Sequence, residues 1–177
     1  MNPRGMVLAV WLCCAVPPVG QAAWQNVPIP EGMQYARAIC DTEQYLYCAF
    51  ETADDAAGGL YRTPSQAPGA WEYLWFSGVP VYDVVEAAGS EPVLLVATDD
   101  ANKVYRSTDQ GSTWMACGAS LPGDLATTLL WDGGSPGRVY CVTRGWQSQT
   151  ESICVSTNRG LSWSTVHTMG IGGAYLT

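Results

Sequence analysis

Two stretches decide the fold of this chain: Ser107-Thr108-Asp109-Gln110-Gly111-Ser112-Thr113-Trp114 and Ser156-Thr157-Asn158-Arg159-Gly160-Leu161-Ser162-Trp163. Both follow the pattern Ser-Thr-Asx-x-Gly-x-(Ser/Thr)-Trp, and a short apolar run precedes each of them. A turn motif that recurs behind strand-like runs indicates a repeat architecture. We call these stretches the Asp109 box and the Asn158 box.

Each position of the pattern has a physical purpose. The Asx side chain accepts hydrogen bonds from backbone N–H groups that follow it and closes a turn. The glycine tolerates the positive φ that a sharp reversal needs. The tryptophan folds back over the turn and buries on the order of 200 Å². We therefore expect a structural role for Ser107, Asp109, Gly111, Trp114, Ser156, Asn158, Gly160 and Trp163.

A third copy is present in decayed form. The run Leu60-Tyr61-Arg62-Thr63 matches Val104-Tyr105-Arg106-Ser107, and Trp71 follows one residue later than the pattern requires. The tryptophans at 71, 114 and 163 lie 43 and 49 residues apart. That period is close to the roughly 40–50 residues of a four-stranded propeller blade.

Short β-branched and aromatic runs bounded by turn residues recur in the same order in each unit. No stretch after residue 25 has a sustained helical period, so we expect no helix there. The predicted strands are Ala36–Cys40, Tyr45–Phe50, Gly59–Thr63 and Trp71–Phe76; Val81–Ala87, Val93–Thr98, Lys103–Ser107 and a strand from Trp114; and Thr127–Trp131, Arg138–Thr143, Ser152–Ser156 and Trp163–His167.

The boxes resemble the Asp-box, or BNR repeat, of sialidases, sortilin-type receptors, two-propeller xyloglucanases and a photosystem II assembly factor. The departure from that pattern is Asn158 in place of Asp. The resemblance implies an all-β propeller in which the box is the turn between the third and fourth strands of a blade. It also implies that the box is structural and lies away from any catalytic centre.

We expect about three blades of four-stranded antiparallel sheet in residues 24–177. The units span about 33–78, 79–123 and 124–169, and residues 170–177 begin a further blade. Closure of a propeller takes about four to eight blades, so we predict an incomplete ring. We expect a fragment of a longer protein, because no terminal unit shows the polar substitutions of a capping repeat. The alternative is an array that completes its ring by self-association.

Residues 1–23 have the layout of a secretory signal peptide. Arg4 precedes an apolar run over Val7–Val16, and Gln21-Ala22-Ala23 offers small residues for cleavage. The run is shorter than the about 20 residues that span a membrane. We therefore predict a secreted or periplasmic protein that is not inserted in a membrane after cleavage.

Export permits disulfides, and five cysteines lie beyond the predicted signal. Cys141 and Cys154 flank a turn near Gln147-Ser148, and Cys40 and Cys48 flank the turn at 41–44 in the same manner. Both pairs are candidate disulfides, and the alternative is that each pair remains as buried free thiols. Cys117 is left without a candidate partner.

The formal net charge of −8 argues against nucleic acid and anionic membranes as partners. Two acidic pairs, Asp54-Asp55 and Asp99-Asp100, fall in corresponding loops. Calcium needs six to eight oxygen ligands, whereas aspartate suits turns without any ion. We therefore expect no metal and no cofactor.

Catalytic candidates are few. His167 is the single histidine, it lies on a predicted strand, and no nucleophile motif stands near it. Sialidases open with a Phe/Tyr-Arg-Ile-Pro motif, and Tyr35-Ala36-Arg37-Ala38-Ile39 fails its spacing. Arg62 and Arg106 occupy one repeat position ahead of the boxes. Nothing in the spacing of the carboxylates Glu51, Asp83, Glu86 and Asp132 marks a glycosidase pair.

We therefore predict a non-catalytic module that binds a protein or a glycan or serves as a scaffold. Eight tryptophans and nine tyrosines against two phenylalanines suit binding, because Trp and Tyr combine apolar area with a polar group. Trp75, Trp131 and Trp146 do not recur at one repeat position and are the candidate surface residues. The alternatives are a glycoside hydrolase whose catalytic residues lie in absent blades and an assembly factor like the photosystem propeller.

Overall fold

The computed structural model describes residues 10–12, 25–53, 58–89 and 91–171, which form fourteen strands and no helix. Strands β1 (Val10–Leu12) and β2 (Gln25–Val27) pair antiparallel, and the other twelve form three four-stranded antiparallel sheets. The all-β fold with propeller-like units is confirmed. Most of the predicted signal peptide, the pair Asp54-Asp55 and the C-terminal residues 172–177 lie outside the described residues.

In each sheet the order of the strands across the sheet is their order along the chain. The first unit contains β3 (Tyr35–Asp41), β4 (Tyr45–Glu51), β5 (Gly58–Pro64) and β6 (Glu72–Trp75). The second contains β7 (Val81–Ala87), β8 (Val93–Thr98), β9 (Val104–Ser107) and β10 (Met115–Ala116). The third contains β11 (Leu125–Trp131), β12 (Val139–Gly145), β13 (Thr150–Ser156) and β14 (Ser164–Gly170).

The fourth strand of each unit begins one residue later than the sequence indicates, after the tryptophan rather than at it. Trp114 and Trp163 belong to the turns. Trp114 packs against the hydrophobic cluster between the first and second units, and Trp163 against the cluster between the second and third. Trp71 packs edge-on against Phe50, whose ring centroid lies 5.0 Å away. The tryptophan closes the turn before the strand can start.

The inner strands β3, β7 and β11 lie next to one another, and each carries an irregularity at the same repeat position. The extra residues are Arg37, Tyr82 and Thr127. A bulge increases local twist and re-aims the side chains around it. Its recurrence shows that the repeat extends to backbone irregularities.

The core consists of two clusters, one between the first and second units and one between the second and third. All six residues of β8 are buried, because Leu94 and Val96 pack toward the first unit while Val93, Leu95 and Ala97 pack toward the third. Strand β12 instead alternates between buried and half-buried residues. In the part of the chain that is described, only one face of the third unit is therefore covered.

Candidate functional site

The Asp109 box is a closed network of local hydrogen bonds. The hydroxyl of Ser107 accepts from the backbone N–H of Gly111 at 2.8 Å and donates to Asp109 Oδ1 at 2.7 Å. Thr113 donates its backbone N–H to Asp109 Oδ1 and its hydroxyl to Oδ2, at 2.8 and 2.6 Å. The bonds from Thr113 lower the pKa of Asp109. The carboxylate therefore stabilises this turn in its charged form.

The Asn158 box reproduces this network with one bond reversed. Ser156 Oγ accepts from the N–H of Gly160 at 2.9 Å, and Asn158 Oδ1 accepts from the N–H of Ser162 at 2.9 Å. The amide Nδ2 of Asn158 then donates to Ser162 Oγ at 2.8 Å. Because a hydroxyl both donates and accepts, the Asp-to-Asn exchange leaves the turn intact.

The decayed turn of the first unit keeps part of the network. Thr63 Oγ1 accepts from the N–H of Gly69 at 3.0 Å, in place of the Ser-to-Gly bond. The indole N–H of Trp71 donates to the carbonyl of Pro28 at 2.6 Å. No Asx side chain closes this turn, and Ser65 bonds to Asp41 and Thr42 instead.

The boxes also join neighbouring units. Arg62 of the first unit donates to the carbonyl of Gln110 in the next box at 2.7 Å. Arg106 of the second unit donates in the same way to the carbonyl of Arg159 at 3.1 Å. Both accepting residues have positive φ, 60° and 54°. The arginine ahead of one box therefore binds the strained position of the following box, a contact that sequence analysis missed because it joins residues about fifty positions apart.

The first junction, between the first and second units, is electrically balanced. Glu72 stands opposite Arg62 on β6, and their Oε2 and Nε atoms lie 2.8 Å apart. The side chains of Gln110 and Gln44 bond to each other at 2.6 Å. The hydroxyl of Tyr47 donates to the carbonyl of Gln110 at 3.2 Å.

The second junction contains a cleft of about 390 Å³ with a different charge pattern. Met115 stands opposite Arg106 where Glu72 stands opposite Arg62, and Arg159 replaces Gln110. Arg159 donates one terminal N–H to the carbonyl of Glu91. Both arginines line the cleft together with Ala88, Gly89, Pro136, Gly137, Thr157, Asn158 and Leu161.

The candidate surface tryptophans occupy different places. Trp75 ends β6 and is 44 % exposed, and Trp146 lies in the turn after β12 and is 59 % exposed. Trp131 is half-buried against the core between the second and third units, at the opposite end of β12 from Trp146. The structure does not bring these two residues of the third unit onto one surface. A binding role for the three stays a prediction.

All five described cysteines are free thiols. Cys141 and Cys154 are direct cross-strand partners, so their predicted pairing is compatible with the register. Cys40 instead lies opposite Tyr47, and Cys48 lies opposite Ile39. A one-residue offset directs two side chains to opposite faces of a sheet, so the register argues against the predicted Cys40–Cys48 bridge. Burial raises the pKa of Cys40 to about 11 and that of Cys48 to about 12.

Within the described residues, no other element covers one sheet face of the third unit. We call this surface the outer face; it consists of Leu130, Tyr140, Val142, Ile153 and Val155. Leu130 is 61 % exposed and lies opposite Tyr140 on β12. The residues at the same repeat positions of the second unit, Val85 and Leu95, pack in the core against the third unit. The outer face is thus the surface on which a further unit would pack.

The carboxylates named in the sequence serve the fold or the surface. Asp83 accepts the N–H groups of Val84 and Leu129 at 2.8 and 2.7 Å, which ties β7 to β11, and burial raises its pKa. Glu51 pairs with Arg37 and Asp132 with Arg138. Burial also raises the pKa of Glu86.

Ligands for a metal do not come together in the described residues, where no three His, Cys, Asp or Glu side chains form such a group. His167 lies on β14 opposite Ile153. The described segments also contain no helix that is long and apolar enough to cross a membrane.

Comparison with known proteins supports the fold alone. No protein-family model and no curated protein matches this chain. Among solved structures it is similar to YCF48 from Cyanidioschyzon merolae, with a TM-score of 0.55 and 22 % sequence identity. The similarity covers 82 % of this chain and 40 % of that one. YCF48 is a photosystem II assembly factor with a β-propeller fold, and the chain described above spans less than half of its length.

Proposed function

We propose that this chain is an exported, non-catalytic module that binds protein, and that the outer face of the third unit is its docking surface. The observation that carries the proposal is the repeat equivalence of this face with buried core. Leu130 and Tyr140 stand where Val85 and Leu95 pack against the next unit. On this face Leu130 is exposed, and the other four residues are half-buried. Apolar side chains grouped on one accessible face are typical of interaction sites.

The partner that fits this face is another propeller unit. Tyr140 occupies the repeat position of Tyr47. Tyr140 lies opposite Val155, three residues before Asn158. Tyr47 lies opposite Arg62, three residues before Ser65, which stands where the other units have the Asx residue. At the first junction the Tyr47 hydroxyl bonds to the backbone of the following box. We expect Tyr140 to make the same bond to a further unit. A second copy of the chain supplies such units, and two copies give six, within the about four to eight of closed propellers.

Sedimentation equilibrium of the purified protein tests this proposal. We expect concentration-dependent dimers for the wild type and monomers for Leu130→Asp, because the substitution places a charge in the docked apolar face. Leu130 is 61 % exposed, so the variant should fold normally. Met115→Asp is the matched control, since Met115 is 48 % exposed on the outer strand of the second unit. A monomeric wild type, or dimers that survive Leu130→Asp, would refute the proposal.

The glycan-binding alternative is tested separately. Trp146 and Trp75 expose about half of their surface, as aromatic platforms for sugars require. A glycan array with Trp146→Ala and Trp131→Ala separates the classes, because only an exposed ring can contribute. Loss of binding in the Trp146 variant alone would favour a glycan module. Hydrolysis of a chromogenic glycoside would favour the hydrolase alternative.

The likeness to YCF48 favours the assembly-factor alternative at the level of the fold. That alternative, like the scaffold, predicts a stable protein complex and no glycan binding. The glycan array therefore separates both from the sugar-binding class.

A further inference from the structure

We propose that the cleft at the second junction binds a small ligand through an oxyanion, a carboxylate or a phosphate group. The cleft volume of about 390 Å³ lies within the range of small-molecule sites. Its two arginines, Arg106 and Arg159, come from different units and face one space. This inference is independent of the docking surface on the third unit.

The charge pattern of the arginines supports the proposal. Four described arginines, Arg37, Arg62, Arg138 and Arg144, each pair with a carboxylate. Among the described residues, Arg106 and Arg159 have only backbone carbonyls as partners. In a chain with a formal net charge of −8, two unneutralised guanidinium groups therefore share one cleft.

The donors of the cleft remain available for a ligand. Arg106 uses its Nε–H for the carbonyl of Arg159, which leaves both of its terminal nitrogens without a partner in the described residues. Arg159 uses a single terminal nitrogen for Glu91. A guanidinium that presents two parallel N–H groups suits bidentate recognition of carboxylate or phosphate. Thr157 and Asn158 also line the cleft. The amide of Asn158 is already bonded to Ser162, so the arginines supply the donors for a ligand.

The first junction is an internal control for this inference. At the equivalent place Glu72 neutralises Arg62, and the two glutamines Gln44 and Gln110 bond across the junction. The second junction has gained one cation, Arg159 for Gln110, and lost one anion, Met115 for Glu72. The repeat frame is the same, so the junctions differ in Arg159, which lines the cleft, and in Met115, which stands opposite Arg106.

Titration calorimetry at low ionic strength tests the proposal, with glucuronate and inorganic phosphate as probes and glucose as the neutral control. We expect one site per chain for an anionic probe, none for glucose, and weaker binding as salt rises. Arg106→Gln and Arg159→Gln should each lower the affinity by about tenfold, the loss that one charge-assisted hydrogen bond predicts. Binding of glucuronate but not phosphate would identify a carboxylate ligand, and binding of phosphate but not glucuronate would identify a phosphorylated one.

Met115→Glu is the decisive variant, because it removes no donor. It places a carboxylate opposite Arg106, as Glu72 stands opposite Arg62. Met115 is 48 % exposed, so the change should not disturb folding. We expect binding to fall as far as in Arg106→Gln. Absence of anion binding in the wild type, or equal affinity in wild type and Met115→Glu, would overturn the proposal.

Discussion

Replacement of Gly160 by alanine measures how firmly the Asn158 box is locked to the second unit. Gly160 has a φ of +84°, and a Cβ at this position would lie 2.6 Å from Leu95 Cδ2. Leu95 is fully buried between the units, so it cannot move away freely. The left-handed conformation costs alanine about 1–2 kcal/mol, and overpacking adds about 1–3 kcal/mol. We expect the free energy of unfolding to fall by about 2–5 kcal/mol in total.

Gly32→Ala is the matched control. Gly32 has nearly the same φ, +82°, but no atom lies within 4 Å of its added Cβ. It should lose only the conformational part, about 1–2 kcal/mol. Urea unfolding followed by tryptophan fluorescence gives both values, and unchanged m-values would show that the same transition is measured.

A double-mutant cycle tests whether the additional stability loss in Gly160→Ala, beyond that of Gly32→Ala, comes from contact with Leu95. Leu95→Val shortens the side chain that the new methyl group meets, so it should cost less in Gly160→Ala than in the wild type. The expected coupling energy is about 0.5–3 kcal/mol. Equal losses for Gly160→Ala and Gly32→Ala, or additive effects of the two substitutions, would refute the packing argument.

Three further predictions concern the carboxylates of Asp109 and Asp83 and the buried thiols. Asp109→Asn should lose less stability than Asp109→Ala, which removes the acceptor of Thr113 and costs about 1–2 kcal/mol by urea unfolding. The bonds from Thr113 lower the pKa of Asp109. The stability that its carboxylate contributes is therefore fully present above the unfolded-state pKa of about 4 and is lost as pH falls through the lower folded-state pKa. The free energies of unfolding of wild type and Asp109→Asn should become equal in acid. Asp83→Ala should lower the free energy of unfolding by about 1–3 kcal/mol, because it leaves the N–H of Leu129 unbonded, and Asp83→Asn should lower it clearly less. Equal losses would contradict a stabilising role for this hydrogen bond. Burial raises the pKa of Cys40 and Cys117 to about 11, so iodoacetamide at pH 8 should label native thiols slowly and urea-unfolded thiols fast; rapid native labelling would contradict this burial.

The elements that the sequence predicts well are those whose interactions are local. Asp109 and Thr113 lie four residues apart, so residue type and spacing alone determine the turn. The bounds Val81–Ala87 and Val93–Thr98 are equally clear, because β-branched runs end at turn residues on both sides. The start of β10 was misplaced, since the role of Trp114 in the turn depends on the core against which it packs.

The features that escaped prediction depend on register and on contacts between units. Cys40 and Cys48 flank a turn much as Cys141 and Cys154 do, but a difference of one residue puts the first pair on opposite faces. The cleft arginines could not be paired from sequence either. Arg106 and Arg159 are 53 residues apart and meet only when two units pack.

The second strand of each unit shows which of its faces has a neighbour. Strand β8 is apolar at nearly every position because it is covered on both sides, whereas β12 carries Tyr140 and Arg144 on its uncovered side. Tyrosine at this position also occurs in the first unit, where Tyr47 is buried and its hydroxyl reaches the following box. A partly polar outer face is therefore compatible with packing against another unit. The hydroxyl of Tyr140 then requires an acceptor from its partner, so Tyr140→Phe should weaken dimers less than Leu130→Asp, which introduces an unpaired charge.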